Sequence, residues 1–241
     1  TVTDVDFFDN NKGVAVGASG GIAYTTDGGT NWSYANFSFM NAAGIQSSTS
    51  FSDVHFVSAT IVYAVGSNGC MARSTDGGVN WSFIRTPLYN NARKINTTWF
   101  VNDNKGYIGG EWNTLDSIPK IYVTLNGGAT WDSLVSPSGG TVTRIGYINN
   151  PNVAPQLHTV TGKGKEINRI IFLDDNTGYI SGNSQHSSGG PTIQIPAVNT
   201  STCLPTGGQT SSLGAQHASL VWKYSNGTLS DYSVTKERTG Y

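Results

Sequence analysis

Charge is scarce in this chain. Only 12% of its 241 residues are Asp, Glu, Lys or Arg, about half the usual share, and 14 basic against 15 acidic side chains leave a formal charge of -1. The Lys and Arg residues form no basic stripe, so the electrostatic footprint of a nucleic-acid binder is missing. No apolar run approaches membrane-spanning length, and no segment carries a convincing amphipathic helix pattern. The four histidines, His55, His158, His186 and His217, stand apart without ligand spacing, which argues against a transition-metal site. The chain opens on Thr1 with neither Met nor a signal peptide, so the expectation is a processed form or a piece of something longer.

What the chain has instead is repetition. TTDGGTNW at Thr25 to Trp32 returns as STDGGVNW at Ser74 to Trp81 and as TLNGGATW at Thr124 to Trp131. The skeleton [ST]-x-D-x-G-x-x-W arises by accident at roughly one position in 10⁵, so the box marks a true repeat. Upstream, Val5–Gly17, Val54–Gly66, Thr98–Gly110 and Ile170–Gly182 align as well, giving four units. Within each unit two runs alternate apolar and other residues around a polar turn, the period-two signature of strands. A third strand runs into the box, at Ile22–Thr26, Met71–Thr75, Ile121–Leu125 and Val221–Ser225. The stretch after the box Trp supplies a fourth, Ser33–Phe39 in the first unit. Four strands in about fifty residues read as one propeller blade, so the fold class is all-β. The blades fall at about 1–50, 51–95, 96–165 and 166–241, forming one propeller domain or part of one.

The box residues have mechanical work. The Asp side chain accepts hydrogen bonds from turn amides, the Gly pair permits positive φ, and Thr or Ser adds a local bond. The Trp buries a large ring beside the turn. Thr25, Asp27, Gly29 and Trp32, with Ser74, Asp76, Gly78 and Trp81, thus read as hairpin staples and not as catalysts. Thr124, Asn126, Gly128 and Trp131 repeat the device without the charge, so the third turn is expected to be weaker. In the fourth unit only Asn226 and Gly227 survive, with Asp231 where Trp would stand.

These motifs resemble the Asp-box, or BNR, β-propellers, a superfamily holding sialidases, xyloglucanases, sortilin-type receptors and photosystem II assembly-factor-like repeats. The upstream pattern followed by T-x-D-G-G-x-x-W looks most like the last group. Such repeats are frequent in secreted Bacteroidetes proteins, and the resemblance implies an extracellular or cell-surface setting. It covers nearly the whole chain and specifies fold more than function.

Length variation marks a candidate binding face. Four residues separate Gly17 from Ile22 and Gly66 from Met71, but ten separate Gly110 from Ile121 and thirty-eight separate Gly182 from Val221. The connection from Trp131 to Asn168 is long too. In a four-stranded meander all three expansions fall opposite the boxes, and insertions in repeat proteins tend to decorate the binding face. Glu111, Trp112 and Asp116 offer an aromatic plate flanked by carboxylates, and His186 sits in the 183–216 insertion, where Ile193 and Ile195 suggest a short strand. Cys70 and Cys203 lie in corresponding connections of blades two and four. A disulfide between them would close a loop worth roughly 4 to 5 kcal/mol in the chain-entropy model; free thiols are the alternative.

The parts of known hydrolases do not assemble. A sialidase needs an arginine triad, but of six arginines only Arg169 falls in a first strand. Asp4, Asp6 and Asp53 are the obvious carboxylates for a xyloglucanase-like pair, yet Asp4 and Asp53 are repeat-equivalent, which favours a structural or channel-lining role. GASGG at Gly17–Gly21 matches G-x-S-x-G, but a hairpin turn and not a strand-to-helix elbow holds Ser19. The turns at Asp9–Asn11 and Asp174–Asn176 read as ordinary capping in preference to calcium loops. No cofactor and no metal are expected. The reading is a non-catalytic surface propeller that binds a protein or a glycan. A glycoside hydrolase fragment and a structural subunit of a surface assembly are the alternatives. Four blades are few, so self-association or the rest of a longer chain is expected to complete the ring.

Overall fold

The computed structural model describes residues 1–36, 49–89, 93–111, 121–134, 141–146, 156–161, 163–185, 192–198, 205–212 and 217–231. Of 141–146, 156–161, 163–165, 183–185, 192–198, 205–212, 217–220 and 231 it describes the backbone alone. The chain is an all-β propeller of four antiparallel four-stranded blades. Blade one holds β1 (Val2–Phe7), β2 (Gly13–Gly17), β3 (Ile22–Thr25) and β4 (Ser33–Tyr34). Blade two holds β5 (Phe51–Phe56), β6 (Val62–Gly66), β7 (Cys70–Ser74) and β8 (Trp81–Arg85). Blade three holds β9 (Ile95–Phe100), β10 (Gly106–Gly110), β11 (Ile121–Thr124) and β12 (Asp132–Leu134). A separate hairpin, β13 (Thr141–Gly146) with β14 (Gln156–Thr161), follows. Blade four holds β15 (Lys163–Asp174), β16 (Thr177–Gln185), β19 (His217–Ser225) and β20 (Thr228–Asp231), with the hairpin β17 (Thr192–Val198) and β18 (Pro205–Ser212) between its middle strands. Two of the expansions, after Trp131 and after Gly182, carry strand hairpins, and Ile193 and Ile195 lie on β17; residues 112–120 lie outside those described. The fourth strand of blade one is shorter than Ser33–Phe39; residues 37–39 lie outside those described.

Strand order follows the meander, and a repeated bond shows which turns share a face. The carbonyls of Asn11, Thr60, Asn104 and Asn176, all in the first turn of their blades, accept the N–H of Gly28, Gly77, Gly127 and Asn226 in the last turn, at 2.8–3.0 Å. First turns and boxes thus lie together at one end of the strands. The connections β10 to β11 and β16 to β19 leave from the other end.

The box behaves as its chemistry requires. Thr25 Oγ1 accepts the N–H of Gly29 and donates to Asp27 Oδ1, which also accepts Asn31 N–H, while Trp32 Nε1 donates to Gly29 O. Ser74, Asp76, Asn80 and Trp81 repeat every bond. The amide bonds from Asn31 hold the Asp27 carboxyl below its ordinary range, and Asp76 is lowered in the same way although burial works against it. Blade three does not lose these contacts. Asn126 Oδ1 takes Thr124 Oγ1–H and Thr130 N–H, and its amide donates to Thr130 Oγ1, so the exchange of Asp for Asn is matched by Thr where the other boxes have Asn. In blade four a two-residue turn, Asn226 and Gly227 at φ of 47° and 86°, replaces the box. Tyr224, at the position of Thr25 and Ser74, packs its ring 5.2 Å from Phe172 and fills the aromatic role of the lost Trp.

Each inner strand supplies a Phe, and three apolar clusters occupy the spaces between successive blades. Cys70 belongs to the first of these. It is a buried free thiol whose burial pushes its pKa up to about 12, so it is an inert core residue. Its suggested partner, Cys203, lies outside the described residues.

Candidate functional site

The first strands β1, β5, β9 and β15 stand side by side around the channel. Equivalent positions on them read Asp4, Asp53, Thr97, Arg169 and Asp6, His55, Trp99, Ile171, and of these Asp4, Asp6, Asp53, His55, Trp99 and Arg169 come together. A cavity of about 240 Å³ opens among them, lined also by Phe7, Phe8 and Phe56. Phe8 and Val57 bring its lining to the first turns of blades one and two, the same end as the boxes.

The polar side chains have a double duty. An inner strand has one edge without a strand partner, and its buried N–H groups need acceptors, which the preceding blade supplies. Asp4 Oδ2 takes Val54 N–H at 2.9 Å, Asp6 Oδ2 takes Phe56 N–H at 2.7 Å, Asp53 Oδ2 takes Thr98 N–H at 2.7 Å and Thr97 Oγ1 takes Ile170 N–H at 3.3 Å. The carboxylates are joints between blades first and channel lining second. Arg169 breaks the column because a guanidinium cannot accept; it reaches over Thr97 to Asp53 Oδ1 at 3.2 Å.

His55 Nε2 donates to the carbonyl of Phe100 at 3.1 Å, which fixes the tautomer, and the ring stacks on Trp99 with centroids 4.3 Å apart. Nδ1 then faces Asp6 Oδ2 at 3.7 Å. Burial lowers the His55 pKa against the opposing pull of Phe100 O and Asp6, so the imidazole is neutral at pH 7. Asp53 is pushed up to about 7. Burial is the largest cause and the neighbouring Asp4 carboxyl adds to it, while Thr98 N–H and Arg169 pull the other way.

The sign of the Asp53 effect makes a test. Its folded pKa lies above the unfolded value near 4, so the fold favours the protonated form, and its stabilising contribution fades as pH rises from about 4 to about 7. Asp53→Asn keeps an acceptor for Thr98 N–H but cannot titrate. The wild type should therefore gain on this variant by at least about 1 kcal/mol when chemical denaturation is repeated at pH 5 instead of pH 8. A pH-independent difference would contradict the assignment.

Of the residues expected on the loop face, Trp112, Asp116 and His186 lie outside the described residues. Glu111 is exposed, bridges Glu166 by backbone, and its N–H donates to Lys94 O at 2.9 Å. Ser19 sits at a φ of 58° in a hairpin turn, as does its equivalent Asn68 at 56°. Asp9 and Asp174 each accept two successive turn amides, the capping geometry. Among the described residues no group of three or more His, Cys, Asp or Glu could hold a metal. Sequence reasoning had the channel carboxylates but not their assembly with Arg169 and Trp99. The signal was the column itself, which concentrates charge in a chain that has little.

No protein-family model and no curated protein matches this sequence. Solved structures do resemble it. One is YCF48 bound to D1 peptide, at 19% identity over 96% of this chain and 80% of that one, with a TM-score of 0.45. Another is YCF48 from Cyanidioschyzon merolae, at 20% identity over 95% of this chain and 84% of that one, with a TM-score of 0.44. A third is the GH74 enzyme of Niastella koreensis, at 14% identity over 95% of this chain and 38% of that one, with a TM-score of 0.49.

Proposed function

We propose that this chain is a non-catalytic propeller module, secreted or displayed at a cell surface, that binds a protein partner by admitting one basic side chain into the channel. One observation carries the reading: the cavity combines the carboxylates of Asp4 and Asp6 with a third, Asp53, that is raised to about 7 and already paired with the single lining cation Arg169, a neutral His55, and the Trp99 ring. An ammonium or guanidinium group answers that excess of negative charge and gains a cation–π contact on the aromatic wall. Size agrees, because about 240 Å³ suits a side chain and falls below the ~300 Å³ at which pockets for whole small ligands begin. Hydrolysis is disfavoured by the carboxylates' bonds. Both oxygens of Asp6 accept backbone N–H groups, from Phe7 and Phe56, and both of Asp53 are held by Thr98 and Arg169. The loop face with Glu111, Trp112, Asp116 and His186 is the competing contact surface and a glycan the competing ligand.

Calorimetric titration with lysine- and arginine-containing peptides, their acetyl-lysine and citrulline counterparts, and soluble oligosaccharides tests this. Basic peptides should bind, the neutral counterparts should bind at least tenfold more weakly, and Trp99→Ala should cost roughly tenfold, about 1.4 kcal/mol. Binding of oligosaccharides alone, indifferent to Trp99→Ala, would overturn the proposal, as would glycoside turnover by the purified chain.

A further inference from the structure

The side of blade one that looks away from blade two is uncovered, and it meets the cavity. Val5 and Phe7 line the cavity and are 49% and 41% exposed, whereas their equivalents Val54 and Phe56 are 4% and 8% exposed beneath blade one. Phe8, also of the lining, is 45% exposed. Strand register carries this face outwards. Val5 pairs with Ala15, Ala15 with Ala23 and Ala23 with Tyr34, so the four share one side of the sheet. Val5 and Tyr34 stand at the ends of the row, the small alanines keep its middle low, and Phe7 meets Trp32 edge to face beside it. A shallow apolar trough therefore runs from the cavity across blade one.

Blade two carries the same row, and there it is filled. Val54, Ala64, Ala72 and Phe83 pair in the same register, and Val14, Val16 and Ile22 of blade one pack in the cluster with them. Val14 and Val16 are alternate residues of β2, so such a row takes aliphatic side chains that an extended strand presents at a spacing of two. A polar contact accompanies the packing at all three junctions. A side-chain oxygen of the preceding blade accepts an inner-strand N–H: Asp4 from Val54, Asp53 from Thr98 and Thr97 from Ile170. Val5 holds the same place in blade one, but β1 has no contact with β15 comparable to its packing on β5, so blade four supplies neither the aliphatic cover nor the acceptor.

We propose, resting on the reading of the cavity as a site for one basic side chain, that the same partner lays an extended stretch of β-branched aliphatic residues along Val5, Ala15 and Ala23, one of its backbone carbonyls accepting Val5 N–H. Main-chain bonding of this kind supplies affinity in strand-type recognition, and the alternate side chains supply specificity. Continuity argues for a single occupant: Val5, Phe7 and Phe8 border both cavity and trough, and an extended chain advances about 3.3 Å per residue, so a few residues bridge the two. Charge argues for a basic segment and against a second copy laid face to face. Blade one holds Asp4, Asp6, Asp9 and Asp27 against Lys12 alone, whose ammonium is bonded to Ala59 O, so two such faces would set carboxylates against carboxylates.

Calorimetric titration of the full chain with three peptides tests this: acetyl-Val-Val-Lys-Val-Val-amide, acetyl-Ser-Ser-Lys-Ser-Ser-amide, and the valine peptide with acetyl-lysine in place of lysine. The valine peptide should bind roughly tenfold more tightly than the serine peptide, and acetylation should weaken it roughly tenfold. Ala15→Gln raises the middle of the trough outside the cavity and should reduce the preference for valine over serine to below about twofold. Tyr34→Ser changes a side chain that is 86% exposed, and it should lower the preference by roughly threefold. Far-UV circular dichroism checks that both variants are folded. Equal affinity of the two lysine peptides would overturn the aliphatic trough and leave the basic side-chain site standing, whereas binding of neither would overturn both. Valine-peptide binding indifferent to acetylation would separate the trough from the cavity, and a dimer that the valine peptide does not dissociate would give the face to a second copy; either result also overturns the proposal.

Discussion

Alanine in place of Trp81 is expected to destabilise the fold by about 3–5 kcal/mol, while the same change at Trp32 should cost only about 1 kcal/mol, although both belong to nearly identical boxes. Trp81 is 4% exposed and sits in the cluster between blades one and two with Phe56, Val62 and Ala72. Removing it deletes a large buried ring, leaves a cavity that the surrounding sheet cannot collapse into, and strands the carbonyl of Gly78, which accepts Nε1–H at 2.8 Å. Trp32 is 40% exposed. It loses a 3.1 Å bond to Gly29 O and an edge contact with Phe7, but little burial. Urea denaturation of the two variants measures the contrast. Equal costs would mean that the box Trp acts within its own hairpin alone and not through the neighbouring blade.

A methyl group at Gly66 should be as damaging as a lost core aromatic, at about 3 kcal/mol or more. The second strands of blades one to three end in Gly, at Gly17, Gly66 and Gly110, and Gly182 holds the equivalent place within β16. The reason is close approach and not a turn: a Cβ on Gly66 would overlap the carbonyl oxygen of Ser50 and lie 2.7 Å from the Cα of Phe51. These are backbone atoms at the register shift where β5 meets β6, so no rotamer change relieves the clash and the inner strand itself must move. Gly227→Ala is the control. Its φ of 86° disfavours a side chain, but nothing lies within 4 Å of a Cβ there, so the penalty should be only about 1–2 kcal/mol. Thermal denaturation of both variants reads the difference, and a Gly66→Ala variant as stable as Gly227→Ala would refute the close-approach account.

Much of the architecture was visible before any coordinates. Alternation along Val5–Gly17 and its three counterparts marked the first two strands, and the box marked the third hairpin, because both are local patterns. His55 aligns with Asp6 and Trp99 in the repeat, which marked only a variable inner-strand position; that the three line one cavity is a tertiary result. Other features were misjudged or missed for physical reasons. Asn126 was expected to keep its acceptor contacts and lose the charge, and it keeps them; what was missed is that Thr130 takes its amide N–H, a pairing that shows only when the two positions are considered together. In the 183–216 insertion Ile193 and Ile195 suggested a short strand, which is β17, but its partner β18 was missed because a polar, Gly-rich segment carries little apolar alternation. The Arg169–Asp53 pair spans 116 residues and has no sequence pattern of its own.

The sequence by itself determined the repeat, the blade plan and the end of the strands at which the boxes lie. These depend on periods of two, on turn chemistry and on the rule that a meander alternates its turns, all of them interactions between near neighbours in the chain. Tertiary structure alone decided which of the equivalent residues are equivalent in fact. Trp32 and Trp81 read alike, as do Val5 and Val54, and Asp4 and Asp53 occupy one column. Their differences arise from what lies on the other side: a preceding blade covers Trp81 and Val54, none covers Trp32 and Val5, and burial beside Asp4 lifts the Asp53 pKa. Burial and desolvation are set by surfaces brought together from distant parts of the chain. For that reason a repeated motif names a fold, and the neighbours of each copy give that copy its energetics and its role.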